Sequence, residues 1–280
     1  RPGKNLSSGR WLHAATRFLI AMNAAFAISN VVIKELYRRK DFYVLFVLTA
    51  LITILLGSVN FFNDPKVARY LKDVVLSLIW ISTLVIAITT AARQIPAERE
   101  NRTIFPLLAK PVTRGQVILG KFLGCWLACG FTLLVFYAFF AVVSGTRESG
   151  VNFENVLKAV LLHWMMLAVV VSMVLCGSIL FSAASANITI CFIAVVGILG
   201  LGRHLHRVAL DQPEPVGTLL TLVYFAIPHL EWYYVPEFLI NNVTLASWLD
   251  CALASLYAAV YAAFFMVAAW ALFRRKSLTV

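Results

Sequence analysis

Residues 159–182 read AVLLHWMMLAVVVSMVLCGSILFS and contain no charged side chain. A helix needs about 20 such residues to cross the ~30 Å hydrocarbon core of a bilayer, because lipid offers an exposed backbone no hydrogen-bond partner. Five further stretches approach or meet this length without an Asp, Glu or Arg well inside the apolar run: 42–60, 74–92, 117–143, 185–202 and 249–273. The sequence therefore predicts an all-α integral membrane protein with six transmembrane helices.

The composition supports a membrane protein and argues against a nucleic-acid partner. Hydrophobic residues make up 61% of the chain and charged residues only 13%, and the mean hydropathy is +0.85. Ordinary soluble domains are less apolar and more highly charged. The formal net charge is +11, but the basic residues flank apolar stretches instead of forming a polar face with interleaved aromatics. We therefore expect the lipid bilayer, and no nucleic acid, as a partner.

Basic residues near the predicted spans give the orientation, because Lys and Arg in short loops mark the cytoplasmic side. They cluster at 38–40, through the loop 93–121 and at 274–276. Six spans place these three clusters on one side, so both termini are predicted to be cytoplasmic. The expected localisation is the cell membrane, as a multi-pass protein of a bacterial inner membrane. The resulting division is a cytoplasmic tail with an interfacial helix at 1–41, a transmembrane domain at 42–276 and a C-terminal tail at 277–280.

Two further segments are partly apolar but lie outside the six predicted spans. Residues 14–37 mix apolar with polar and charged side chains, which favours a helix lying in the cytoplasmic interface, with a seventh span as the alternative. The run 216–228 is too short to cross and ends at Pro228. We predict that it forms a re-entrant or interfacial helix within an outer region at 203–248. Trp232, Tyr233 and Tyr234 follow it, as in an aromatic belt at a headgroup boundary.

The chemistry expected of an ion-driven transporter or an ATP-binding chain is lacking. No acidic residue falls near the middle of a predicted span, and for His163, which lies beside Trp164 near the start of the fourth span, a satisfied histidine at the membrane interface is favoured over a proton relay. Cys125 and Cys129 share a helix face, and packing is favoured over a metal site. The run Gly115 to Lys121 matches G-x-x-x-x-G-K, but a phenylalanine stands where the phosphate loop needs Ser or Thr. Energy for uphill transport would have to enter through another polypeptide.

The loop 93–120 is the longest polar stretch expected on the cytoplasmic side. Pro96 suits the first turn of a short helix, Glu98 and Glu100 suit its positive N-terminal end, and Pro111 would close it. The predicted helix is amphipathic. It could lie on lipid headgroups as a solvated loop, or it could dock a soluble partner.

The same loop contains three short motifs: E-x-E-N-x-T at 98–103, L-L-x-K-P-V-T-R at 107–114 and L-G-K at 119–121. In these motifs it resembles the coupling region of ABC-2 type transporter permeases. The remaining chain is compatible, with a basic interfacial segment, six spans and an outer stretch that ends in P-H-L-E at 228–231. The resemblance implies a permease subunit whose cytoplasmic coupling helix fits a cleft in a separate ATPase.

Further expectations follow from the resemblance. Two ATPase subunits would bind ATP and Mg²⁺ beneath a homo- or heterodimer of permeases, this chain would bind no cofactor or metal and catalyse nothing, and transport would run outward. Glu98, Glu100 and Thr103 would contact the ATPase, Pro111 and Arg114 would shape the turn into the third span, and Arg102 stands where many members have glycine. The expected ATPase-binding set is Glu98, Glu100, Arg102, Thr103, Phe105, Pro111 and Arg114.

A membrane anchor or assembly scaffold without transport activity is the alternative function. Such a protein would also lack charge at the bilayer midplane, but it would have no ATPase partner. An intramembrane enzyme is disfavoured, because the sequence contains no H-E-x-x-H run and no Ser/His/Asp cluster.

Overall fold

The computed structural model describes residues 25–35, 38, 40–58, 65–100, 113–145, 152–234, 236–240 and 247–275, all in helices or in the short turns that join them. The helices are α1 (25–35), α2 (Asp41–Ser58), α3 (Pro65–Arg93), α4 (Pro96–Glu100), α5 (Arg114–Gly145), α6 (Phe153–Leu180), α7 (Ala184–Asp211), α8 (Val216–Ala226), α9 (Pro236–Ile240) and α10 (Trp248–Arg275). A 3₁₀ turn spans Leu230–Tyr233. Each of the six predicted apolar stretches overlaps one of these helices: four lie wholly within a helix, whereas 42–60 and 159–182 run past the described ends of α2 and α6.

Within the described ranges, four helical segments are long and apolar enough to cross a membrane, judged by length and composition: Lys72–Glu100, Arg114–Val142, Phe153–Leu180 and Trp248–Arg275. Three shorter apolar helical segments accompany them, at Tyr43–Leu55, Ala184–Gly200 and Val216–Ala226. Large apolar side chains cover the outward faces of α2 and α10, where Leu51, Ile54, Leu253 and Phe264 are each at least half exposed. Water would not stabilise such a surface, whereas lipid does.

Helix α6 is the centre of the bundle and packs against α3, α5 and α10. Its interior stretch from Met166 to Val171 is buried without interruption, which explains why its sequence is apolar on every side. Helices α5 and α6 are joined by a reciprocal pair of indoles. Trp126 Nε1 donates to the carbonyl of Trp164 at 3.0 Å, Trp164 Nε1 donates to the carbonyl of Trp126 at 3.1 Å, and the rings stack at 4.5 Å. Gly130 leaves the space that the Trp164 indole fills.

The two ends of the bundle are recognisable from their contacts. At one end, which we call the basic end, Ile95, Ile118, Ile179, Ala269 and Phe273 form a small buried cluster beside Arg93, Arg114 and Arg274. At the far end, Lys72, Ser144, Asn155 and Leu239 line a small cavity. Helices α3, α6 and α10 therefore run from the far end to the basic end, and α5 runs the opposite way.

Candidate functional site

The loop singled out by the sequence begins in the structure as a short helix at the basic end. Helix α4 starts at Pro96, as predicted, and directly follows the turn that ends α3. Pro96 is buried, whereas Glu100 is exposed. Residues 101–112 lie outside the described part of the chain, and with them Arg102, Thr103, Phe105 and Pro111. Of the predicted ATPase-binding set, the structure therefore places Glu98, Glu100 and Arg114.

Glu98 points back into the bundle and binds Lys121 of α5. Lys121 Nζ lies 2.7 Å from Glu98 Oε1, with side-chain exposures of 3% for the lysine and 24% for the glutamate. The same ammonium donates to the backbone carbonyl of Gln94 at 2.9 Å and to its side-chain oxygen at 3.4 Å. A buried ammonium is costly unless it is paired and hydrogen-bonded, and these three oxygens satisfy it. The end of α3, helix α4 and the first turns of α5 are thereby held as one unit.

The structure also shows that the match to a phosphate loop at Gly115 to Lys121 is not an ATP-binding motif. Residues Gly115 to Lys121 lie inside helix α5 and not in a loop. The lysine that would reach a phosphate is instead neutralised by Glu98 within the protein. The spacing is therefore a coincidence of a glycine-containing transmembrane helix, as predicted.

Arg114 ties the start of α5 to the end of α10. Its guanidinium donates from Nη1 to the carbonyl of Phe273 at 2.6 Å and to the carbonyl of Arg274 at 3.1 Å. It also lies 5.5 Å from the centre of the Phe273 ring. The last carbonyls of a helix have no partner within the helix, so an arginine at this point stabilises the α10 terminus. The start of α5 and the end of α10 therefore lie on one face of the protein.

Sequence reasoning missed a close contact between α1 and α5. A Cβ atom on Gly124 would lie 2.7 Å from Val32 Cβ and 3.0 Å from the Ser29 carbonyl oxygen, and one on Gly120 would lie 2.8 Å from the Ala25 carbonyl oxygen. Glycines four positions apart let two helix backbones approach closely. The G-x-x-x-G spacing at 120–124 was the available signal. The segment predicted to lie in the interface packs, at 25–32, against the basic end of α5.

His163 is satisfied, as predicted, but it is buried in the bundle and not at its interface. The imidazole is 1% exposed. Its Nε2 lies 3.1 Å from Thr83 Oγ1 and its Nδ1 lies 3.4 Å from the Tyr137 hydroxyl. The two hydrogen bonds connect α6 to α3 and α5. A buried polar group with both ring nitrogens engaged fixes the relative rotation of the helices that it joins.

The segment after α8 is attached to α10 by aromatic residues. Tyr233, predicted to face the headgroups, is buried and donates its hydroxyl to the carbonyl of Ala254 at 2.6 Å. Burial raises the pKa of Tyr233, so it is neutral and remains a donor. Trp232 is half exposed and packs on Tyr257 at 5.2 Å. Of these two aromatic residues, only Trp232 can face a headgroup region.

Comparison with protein families identifies the chain. A family model described as ABC-2 family transporter protein matches residues 10–278, which cover both the basic-end loop and every helix described above. No curated protein matches the chain. The matched family and the apolar helices agree on a membrane component of an ABC transporter. The chain belongs to the ABC-2 family of transporter proteins and is a permease component of an ABC transporter.

Proposed function

We propose that this permease transmits ATP-driven motion from a separate ATPase through the loop 93–120 into the helix bundle. The observation that carries the proposal is the buried contact of Lys121 with Glu98 and Gln94. A displacement of α4 reaches α5 through this contact directly, because the ammonium is enclosed and cannot exchange its partners for water. Arg114 extends the connection to α10.

The contacts support six spans with both termini on the cytoplasmic side. Helix α2 has 18 residues and therefore extends about 27 Å, close to the ~30 Å hydrocarbon thickness. Helix α7 has 28 residues and follows α6 after a three-residue turn at the basic end. Counting α2, α3, α5, α6, α7 and α10 as spans places every terminus and the loop 93–120 at the basic end. By the rule that basic loops stay inside, this end is cytoplasmic, here in a bacterial inner membrane.

The same assignment places the other elements of the proposed architecture. Helix α1 belongs to the N-terminal region 1–41 and lies at the cytoplasmic interface. Region 203–248 lies on the outer side, where α8, with only 11 residues, is too short to cross and is proposed as the re-entrant segment. Residues 277–280 form the cytoplasmic tail of the transmembrane domain 42–276.

The ATPase would dock at the basic end of the bundle, on the exposed part of the loop. We propose two ATPase copies, each binding ATP and Mg²⁺, beneath two permease subunits, with export as the direction. Glu100 is the described acidic side chain that faces outward from α4, so it is placed to contact the partner, together with Arg102, Thr103, Phe105 and Pro111 from the adjoining segment. Glu98 and Arg114 would act from within, because both are bound to the bundle.

Co-purification tests this assignment. The detergent-solubilised chain is captured together with its candidate ATPase, a soluble protein with a complete phosphate loop encoded beside it. We expect Glu100→Lys to reduce ATPase recovery about tenfold, the loss for one reversed charge-assisted contact of about 1.4 kcal/mol. Glu214→Lys is the matched control, because Glu214 is an exposed carboxylate beyond the far end of α7.

The outcomes separate the permease from a membrane scaffold. Loss with Glu100→Lys and normal recovery with Glu214→Lys support docking through the loop. Equal recovery with both variants would refute the docking surface. If wild-type chain recovers no ATPase, the scaffold is the better account.

A further inference from the structure

An apolar groove of about 420 Å³ opens on the side of the bundle between α3 and α7. Trp80 and Leu84 form one wall, and Phe192, Val196 and Gly200 form the other. The groove lies in the part of these helices that is embedded in the membrane under the six-span topology, so it is accessible from the lipid. Its volume suits the apolar body of a small amphiphile.

One carboxylate interrupts the apolar lining. Glu231, from the 3₁₀ turn, lines the groove beside Tyr234, and its side chain is only 9% exposed. Oε1 lies 3.7 Å from Nδ1 of His229. Oε2 is buried and has no hydrogen-bond partner among the residues that the structure describes. A buried acceptor without a donor is costly, and the cost is greatest when the group carries charge.

The position of Glu231 is held from several sides. Tyr233 anchors the 3₁₀ turn to α10 through its hydroxyl, and Tyr234 packs edge-on against Trp80 at 5.2 Å. On α7, Gly202 lies against the carboxylate, so that a Cβ atom there would overlap the oxygens. The acid is therefore fixed at the groove by its surroundings, as expected of a recognition group and not of a mobile surface side chain.

We propose that this groove binds an amphiphile with a protonated amine, whose apolar chain lies between α3 and α7 and whose ammonium is accepted by Glu231. The ammonium supplies the hydrogen-bond donor that Oε2 lacks among the described residues, together with a positive charge beside the carboxylate, and a charge-assisted bond is strongest in a dry site. The chain supplies the apolar surface that the groove buries. The binding requires only this chain, so it stands or falls separately from the docking of an ATPase.

Photolabelling of the full chain in nanodiscs tests the site. The probe is dodecylamine with a diazirine at the methyl end of the chain, and labelled residues are located by mass spectrometry. We expect saturable labelling of the α3 and α7 walls that excess dodecylamine prevents and dodecan-1-ol does not. Glu231→Gln is expected to reduce the saturable labelling at least tenfold, as a lost charge-assisted contact in a desolvated site would.

A second pair of variants leaves Glu231 in place. Gly200 lines the groove, and a Cβ atom built on Gly200 or on Gly197 meets no described atom of a packed neighbour within 4 Å. Gly200→Leu is therefore expected to fill the groove without a clash and to abolish saturable labelling, whereas Gly197→Leu on the same helix is expected to preserve it.

The results distinguish the occupant and its source. Protection by phosphatidylethanolamine in the nanodisc as well as by dodecylamine would identify a bilayer lipid, and protection by dodecylamine alone would identify a free amphiphile; both support the amine site. Equal protection by dodecan-1-ol would overturn it in favour of a groove that holds lipid chains only. Unchanged labelling in Gly200→Leu would place the probe elsewhere and also overturn the proposal.

Discussion

Lys121→Met is expected to lower the stability of the solubilised protein by about 3 kcal/mol, the cost of removing one partner from a buried ion pair. The substitution keeps the length of the side chain but withdraws the ammonium from Glu98 and from the Gln94 carbonyl. Breaking a buried ion pair usually costs about 3–5 kcal/mol, and the lower value applies here because the Glu98 side chain is 24% exposed. In a thermal melt in detergent, this corresponds to a fall of roughly 6–12 °C in Tm for a domain of this size.

The double variant Lys121→Met/Glu98→Gln completes the test. Removing the glutamate charge as well is expected to restore at least about half of the lost stability, since the uncompensated charge is the main source of the cost. Lys158→Met is the comparison, because this lysine is also buried, at 7% side-chain exposure, but pairs at 2.8 Å with Glu154, whose side chain is 55% exposed. A carboxylate that stays in contact with water costs less when it loses its partner than a buried one, so we expect a smaller fall in Tm than for Lys121→Met. A Lys121→Met melt that matches that of Lys158→Met, or no recovery in the double variant, would contradict the buried anchor.

Gly124→Leu is expected to displace α1 from α5. Already the first carbon of the new side chain would meet Val32 Cβ and the backbone of Ser29, the latter at 3.0 Å. The backbone of one helix cannot yield without moving the whole helix, so the overpacking cost falls near the upper end of about 1–3 kcal/mol. Tryptic cleavage between residues 25 and 40 should accelerate at least about tenfold, because cleavage follows the population of the opened state.

Gly145→Leu is the matched control for this second prediction. Gly145 ends the same helix, and a Cβ atom there meets no atom of the described residues within 4 Å. Its variant should be cleaved at the wild-type rate. If Gly124→Leu is also cleaved at that rate, α1 does not depend on the glycine contact for its position.

The helices were predictable from the sequence because the membrane imposes a simple requirement. An apolar run near 20 residues must be helical when lipid surrounds it, so residues 159–182 indicated α6 directly. Helix ends were less predictable. Helix α3 starts at Pro65, nine residues before the predicted apolar run at 74, because polar residues continue a helix beyond the hydrocarbon without changing its hydropathy signal.

The position of the candidate site in the chain was predictable from the sequence, but the directions in which its side chains point were not. The sequence identified the loop 93–120 and the helix start at Pro96, but it could not show that Glu98 turns inward while Glu100 stays exposed. That difference depends on the rotation of α4 relative to Lys121, which lies 23 positions away in the chain. The same applies to Tyr233, whose hydroxyl partner is on α10, and to Glu231, whose neighbour Gly202 is on α7.

The most direct test of ATPase coupling through the loop is photocrosslinking from position 100 to the purified ATPase in reconstituted vesicles. A benzoylphenylalanine replaces Glu100 in one variant and Glu214 in another, and the crosslinked product is identified by its mass and by peptide sequencing. The account predicts a permease–ATPase adduct from position 100 and none from position 214. An adduct from position 214, or none from position 100 while the ATPase is bound to the vesicles, would contradict it.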